Sequence, residues 1–259
     1  MATGTPRGEG GILPVEGIAR RYQAAYSDAR AYDRIFFKDE DSRRFNAAEG
    51  TTIHRLLGLP AGRSVLDVGA GTGRIGAYLA SQGLRVTALD LSEAMLREIQ
   101  AKARAADLAA LRYVRASAGE PPFAPASFDG VISTRFFHLF PVRVYRGFLL
   151  KLWPLLRPGG VLLIQFNSAL ALGPATWVRE LYWQRVRGHP HSYLWPGQVT
   201  QIFEGFADVS VHGFSPVGLR FVRRLHASSA VALERFVAEG QRSFLASRVF
   251  VRAVKPAGN

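Results

Sequence analysis

Between residues 63 and 134, short apolar runs alternate with stretches whose apolar residues recur at helical spacing. Val65-Leu-Asp-Val68 and Arg85-Val-Thr-Ala-Leu-Asp90 read as strands, and so do Leu111–Ala116 and Phe128–Ser133. Between them, residues 73–82 form a helix closed by Gly83. Ser92 caps a second helix through about Ala106, with Met95, Leu96 and Ile99 as its apolar side. Strands and helices taking turns predict a mostly parallel sheet with helices on both faces. Upstream, residues 1–14 read as a disordered leader and 15–60 as helical. Within 42–58, Phe45, Ala48, Ile53, Leu56 and Leu57 recur at helical spacing, and Gly58 with Pro60 ends the run. Downstream, Val142, Tyr145, Phe148, Leu149, Leu152 and Leu156 predict one helix over 141–156. Pro158-Gly-Gly160 reads as a tight turn into the buried strand Val161–Phe166. Residues 168–206 break the alternation with aromatic, basic, helical sequence. Residues 209–214 and 247–254 alternate polar and apolar positions like late strands, with a helix near 228–240 between them.

Composition narrows this picture. The chain has 259 residues and 48% apolar residues, enough for one large globular α/β domain. It contains no cysteine, which excludes disulfides, thiolate metal sites and a thiol nucleophile. The opening residues lack the apolar core of a signal peptide and no later run approaches bilayer length, so a soluble cytoplasmic protein without a membrane span is expected. The net charge of +13 is uneven: residues 1–130 hold 17 basic and 15 acidic side chains, the remainder 16 and 5. All but Lys38, Lys102, Lys151 and Lys255 of the basic residues are arginine, which coding bias alone would also produce.

The sharpest feature is Val65-Leu-Asp-Val-Gly-Ala-Gly-Thr-Gly-Arg74, at the end of one strand and the start of a helix. Glycines there let backbone amides approach a ligand closely. Gly71, Gly73 and Gly76 satisfy the spacing of a dinucleotide loop, with Asp90 placed to accept ribose hydroxyls. Asp67 argues for a different ligand. A carboxylate delivered to the mouth of the loop repels a pyrophosphate but favours S-adenosylmethionine, which carries an ammonium and a sulfonium and no phosphate. Asp90 serves either cofactor.

Asp67-Val-Gly-Ala-Gly-Thr-Gly73 resembles the first motif of class I S-adenosylmethionine-dependent methyltransferases, small-molecule branch. Leu89-Asp-Leu-Ser92 with Met95 is similar to the second motif. Ser127-Phe-Asp-Gly-Val-Ile-Ser133 is similar to the fourth-strand signature, and Leu156-Arg-Pro-Gly-Gly-Val-Leu-Leu163 resembles the turn before strand five. The resemblance implies a Rossmann-like seven-stranded sheet in a single domain over 15–259. Its parts would be a helical cap (15–60), a cofactor-binding core (61–167), a helical lid inserted after strand five (168–206) and C-terminal strands (207–259). It implies S-adenosyl-L-methionine as cofactor and S-adenosyl-L-homocysteine as product. Gly69, Ala70 and Gly71 would lie against the methionine part, Asp67 and Gly73 would bind the cofactor with them, and Asp90 would hold the ribose. Leu91 and Met95 would flank the adenine, Ser117 and Ala118 meet its edge, and Arg135 reach the methionyl end through its backbone. Where the family usually has Asp, Ser117 offers an uncharged acceptor.

Methyl transfer from a sulfonium disperses charge, so alignment in a dry pocket supplies much of the catalysis. A base serves only a hydroxyl or protonated amine acceptor. The candidate is His138, in Arg135-Phe-Phe-His-Leu-Phe140 just beyond strand four; the alternative is a packing histidine. His189-Pro-His191 has no nearby third ligand, so no metal is expected. Tyr22, Tyr26 and Tyr32 of the N-terminal helices, Phe137, and Tyr182, Trp183, Tyr193 and Trp195 of the insertion are candidates to roof an apolar acceptor, or simply dock helices. The expected partner is a small-molecule acceptor, with transfer to an O, N or C nucleophile in biosynthetic or secondary metabolism. Trp183-Gln-Arg-Val-Arg187 and Arg220-Phe-Val-Arg-Arg224 interleave aromatics with arginine, which keeps an RNA-modifying methyltransferase as the alternative partner reading. An NAD-dependent oxidoreductase and a non-catalytic cofactor-binding protein stay open behind it.

Overall fold

The computed structural model of the chain describes residues 29–36, 39–170, 192–216, 236–238 and 240–257, with residues 17, 178 and 232 singly. The short apolar runs give strands β1 (Ser64–Val68), β2 (Arg85–Asp90), β3 (Leu111–Arg115) and β4 (Phe128–Ser133). They continue in β5 (Leu156–Asn167), β6 (Ser210–Pro216) and β7 (Ala246–Val254). Among the described residues these form one sheet in the order β3-β2-β1-β4-β5-β7-β6. The first five strands pair in parallel, while β7 runs antiparallel to both β5 and β6. This is the expected Rossmann-like α/β architecture.

The helices are α1 (Ala29–Phe36), α2 (Glu40–Leu57), α3 (Arg74–Ser81), α4 (Glu93–Ala105), α5 (Tyr145–Leu152) and α6 (Pro196–Ile202). Alternation along the strands sends successive side chains to opposite faces. Leu66, Val68, Leu162, Ile164 and Phe166 pack with Tyr145, Phe148 and Leu149 of α5 and Val199 of α6. Val65, Ile132 and Leu163 pack on the other face with Ile53 and Leu57 of α2, Leu79 of α3 and Ile99 of α4. Both faces are covered, as a parallel sheet requires. No helix among the described residues is long and apolar enough to cross a membrane.

Four local expectations change. In α2, Ala48 is exposed, and the buried positions beside Ile53, Leu56 and Leu57 are taken by Asn46, Glu49 and Gly50. The stripe over 141–156 is no continuous helix: α5 is flanked by 3-10 turns at Val142–Val144 and Trp153–Leu155, with Pro154 inside the second. Pro158-Gly-Gly160 lies inside β5 as a bulge, where pairing jumps from Phe128–Leu156 to Gly130–Val161 and Gly159 takes φ 76°. Finally, the described end of the 168–206 stretch, residues 192–206, packs into the core, because Leu194, Val199, Ile202 and Phe203 are buried there. Tyr22, Tyr26, Tyr182, Trp183, Arg187, His189, His191 and Arg220–Arg224 lie outside the described residues.

Candidate active site

Beyond β1 the chain turns at Gly69, whose φ is 68°, and ties itself to the end of β2. The Gly69 and Ala70 amides both donate to the Leu89 carbonyl, at 2.9 and 3.1 Å. Gly71, at φ 56°, donates its amide to Asp90 Oδ2 at 2.8 Å, and the Ser92 amide donates to Oδ1 at 2.8 Å. Asp90 is thereby held rigidly at the tip of β2, each oxygen keeping acceptor capacity. Burial pushes its carboxyl above the ordinary value, and the amides of Ser92, Gly71 and Leu91 oppose that shift.

These turns border a cleft with about 1070 Å³ of empty space. It lies beyond the C-terminal ends of β1, β2 and β4, where the strand order reverses and open α/β sheets place their ligands. Gly69, Ala70, Gly71, Asp90, Leu91, Met95, Ser117, Ala118 and Arg135 all line it. Phe136, Leu139, Phe140 and Phe148 form its aromatic, apolar wall. A Cβ added at Gly71 would meet none of the described residues within 4 Å, so among them the loop presents open space beside the Asp90 carboxylate. The Ser117 hydroxyl oxygen accepts from the Gly119 amide at 3.1 Å and keeps its own proton to donate. An apolar slot with one rigid carboxylate and an open backbone cradle fits a nucleoside bearing a ribose diol.

Other predicted residues stand elsewhere. Asp67 does not reach the mouth of the loop: alternation along β1 turns it beneath α3, where it is 1% exposed and accepts from the Gly76 amide. Its Oδ1 is buried without a hydrogen bond among the described residues. Burial raises its carboxyl to about 7, with Arg74 opposing and the Asp90 charge adding. Gly73 is buried under α3, where a Cβ would come 2.7 Å from Ile99 Cγ1. Phe137 cannot roof an acceptor, because it is fully buried against Tyr145, Phe148 and Phe166. His138 shares its 3-10 turn but is absent from the lining, and its carbonyl accepts from the Ser192 amide at 2.8 Å.

The pattern reading missed two features. Asp33 of α1 accepts from Thr72 Oγ1 at 2.6 Å and pairs with Lys102, which also donates to the Thr72 carbonyl at 2.8 Å. This fastens α1 to the loop and holds Tyr32, one of the expected roof aromatics, in the lining. The second is an ionic cluster around Glu49, which is wholly buried on α2. Arg74, Arg135 and Arg248 contact its carboxylate at 2.6, 2.8 and 2.8 Å, and the Gln165 amide donates to it at 2.6 Å. Burial raises the Glu49 carboxyl, yet the three guanidinium groups and Gln165 together hold it well below the usual carboxylate range. Arg135 is pulled down to about 9, first by burial and then by Arg248, with Glu49 opposing. A carboxylate in line with Phe45 and Ile53 on α2 was the signal for this cluster; its partners left none nearby.

A family model described as "Methyltransferase domain" matches residues 65–160. The chain is 36% identical over 141 residues to a demethylmenaquinone methyltransferase of Tropheryma whipplei, covering 52% of this chain and 54% of that protein. It is 32% identical over 201 residues to the demethylmenaquinone methyltransferase of Renibacterium salmoninarum, covering 71% of this chain and 78% of that one. Against the first of these relatives the matched part spans about half their length. Among solved structures, a Haemonchus contortus phosphoethanolamine N-methyltransferase in complex with phosphomonomethylethanolamine and S-adenosylhomocysteine aligns with TM-score 0.66 at 24% identity. That alignment covers 94% of this chain and 61% of that one. A Burkholderia thailandensis 1,6-didemethyltoxoflavin-N1-methyltransferase aligns with TM-score 0.61 at 20% identity, covering 96% and 93%.

Proposed function

This chain belongs to the class I S-adenosylmethionine-dependent methyltransferases, and we propose that it moves a methyl group from S-adenosylmethionine to an O, N or C nucleophile of a small-molecule acceptor held in the cleft. The observation that carries this reading is the Asp90 carboxylate, pinned by the Gly71 and Ser92 amides beside the open face of the glycine loop. Bound there, the cofactor supplies an electrophilic methyl on sulfur. The chain's own residues do the rest by positioning. Asp90 accepts from the two ribose hydroxyls, and Leu91, Met95 and Ala118 pack the base. Ser117 offers its hydroxyl at the base edge. Phe136, Leu139, Phe140 and Phe148 keep water from the reacting end, so that an acceptor is aligned in an apolar space.

The demethylmenaquinone, phosphoethanolamine and toxoflavin methyltransferases act on small molecules by their names, which supports a small-molecule acceptor over RNA for this chain. Calorimetry with S-adenosylhomocysteine and with NAD tests the cofactor class. S-adenosylhomocysteine should bind, and Asp90→Ala should weaken it at least 100-fold, two charge-assisted hydrogen bonds being worth roughly 1.5–3 kcal/mol each. Tight NAD binding without S-adenosylhomocysteine binding would overturn the reading.

A further inference from the structure

The chain leaves β4 at Ser133, whose hydroxyl donates to the Val68 carbonyl at 2.8 Å and ties the end of β4 to the end of β1. Two residues on, Arg135 takes φ 51°, a left-handed conformation that residues with a Cβ rarely adopt, and its amide donates to Gln165 Oε1 at 3.1 Å. Backbone of this kind persists where the surrounding structure enforces it. The residue it aims is Phe136. Cδ2 and Cγ of that ring are the atoms nearest a Cβ built at Gly69, at 2.2 and 2.5 Å, so the ring lies against the Gly69 Cα with no room for a side chain between them.

The other neighbours of the ring are Phe137, Phe140 and Phe148, with centroids at 5.8, 4.9 and 6.0 Å. Those three are buried, whereas Phe136 is partly exposed and lines the cleft. It stands where the glycine loop meets the aromatic wall. Among the described residues the ionisable side chains of the lining are Tyr32, Arg74, Asp90 and Arg135. The two arginines oppose a cation, and Asp90 is held on the Gly71 and Ser92 amides. An aromatic ring favours a cation without carrying charge, because its π face is electron-rich, and the attraction grows where water is excluded.

We propose that Phe136 is the sulfonium contact of this cleft: its ring receives the positive charge of S-adenosylmethionine, so that the chain prefers the charged cofactor to the neutral product S-adenosylhomocysteine. Arg135 is a positioning residue here, acting through its bent backbone. Gly69 is the partner that lets the ring come down onto the loop. The inference rests on the methyltransferase reading and deepens it, from the class of cofactor to the residue that tells fresh cofactor from spent.

Calorimetry of the full chain with three ligands tests the contact: S-adenosylmethionine, S-adenosylhomocysteine, and sinefungin, in which a carbon bearing an ammonium replaces the methylated sulfonium. The parent should bind both cations about fivefold more tightly than S-adenosylhomocysteine. Phe136→Leu should lose that preference while S-adenosylhomocysteine affinity stays within about twofold, and Phe136→Tyr, which keeps an aromatic face, should retain it. Mono- and then trifluorinated phenylalanine at position 136 drain the ring face at nearly constant shape. They should lower the preference stepwise, which a packing role would not do, and they serve as the test if Phe136→Leu fails to fold. Equal weakening of all three ligands in Phe136→Leu, or a preference that fluorination leaves unmoved, would make the ring a packing group and overturn the contact. Tighter binding of all three in Phe136→Leu would make it a plug, with the same consequence. Loss of the preference in Tyr32→Leu and not in Phe136→Leu would move the cation to the other ring. A parent that binds all three alike overturns the contact alone; a parent that binds none removes the methyltransferase reading and the contact with it.

Discussion

Two kinds of wall meet at this cleft. The glycine loop runs through consecutive residues, Gly69 to Thr72, and offers backbone amides, one of which anchors Asp90. The Glu49 cluster beside it gathers α2, the start of α3, the second residue after β4, and side chains from β5 and β7, with partners as far as 199 positions away. The loop is built of neutral dipoles that need no partner charge. The cluster is built of full charges that are tolerable only together. Damage to the loop should therefore appear chiefly in ligand binding, and damage to the cluster in folding. Glu49→Leu breaks the comparison most sharply, since it leaves three buried guanidinium groups without their carboxylate. Removing one member of a buried ion pair costs about 3–5 kcal/mol. Urea unfolding of Glu49→Leu should show a loss of that size; a loss below about 1 kcal/mol would mean that the arginines reach solvent.

Asp67 sits between the two regions, under the loop and within the field of Arg74. Its folded-state carboxyl is raised from 3.8 to about 7, so between those pH values the folded chain binds more protons than the unfolded one. Stability from this group is full below about pH 4 and is lost as pH rises through 7, by up to about 4 kcal/mol. Asp67→Asn mimics the protonated form, less about 1–2 kcal/mol for an amide NH₂ in the place of the unbonded Oδ1. Denaturation across pH should find Asp67→Asn about 2 kcal/mol more stable than the parent above pH 8, with the order reversed below pH 4, where the variant is about 1–2 kcal/mol less stable. A constant difference across pH would assign the carboxylate's charge to Arg74 and the cluster, not to burial.

The same contrast governs what the chain's pattern could convey. β2 and β4 match their predicted bounds because a short apolar run ended by polar or glycine residues needs only local information. The loop residues Gly69 to Gly71 and Asp90 come to one cleft because a strand end, a tight turn and a helix start lie within a few residues of each other. Glu49 was passed over because its environment is set by Arg135, Gln165 and Arg248, 86, 116 and 199 positions downstream. Phe137 and His138 illustrate the opposite error. Their neighbours Phe136 and Leu139 face the cleft, but a 3-10 turn changes direction at each residue, and periodicity cannot say which side chain faces in. The predicted lid aromatics Tyr22, Tyr26, Tyr182 and Trp183 lie outside the described residues.

Within the loop itself, Gly69 and Gly71 separate packing from binding. Both have positive φ, 68° and 56°, so alanine at either is strained by about 1–2 kcal/mol. A Cβ at Gly69 would also come 2.2 Å from Phe136 Cδ2, inside an aromatic cluster with Phe137, Phe140 and Phe148. That overpacking adds roughly 1–3 kcal/mol. A Cβ at Gly71 meets no atom of the described residues and stands in the cleft's open space. Gly69→Ala should therefore be the less stable variant in urea by about 1 kcal/mol or more. Gly71→Ala should hold most of its stability and yet lose S-adenosylhomocysteine affinity at least tenfold, because its methyl group occupies the room the ligand needs. If Gly71→Ala binds like the parent, the open cradle is not where the ligand lies, and the seat of binding shifts toward the aromatic wall.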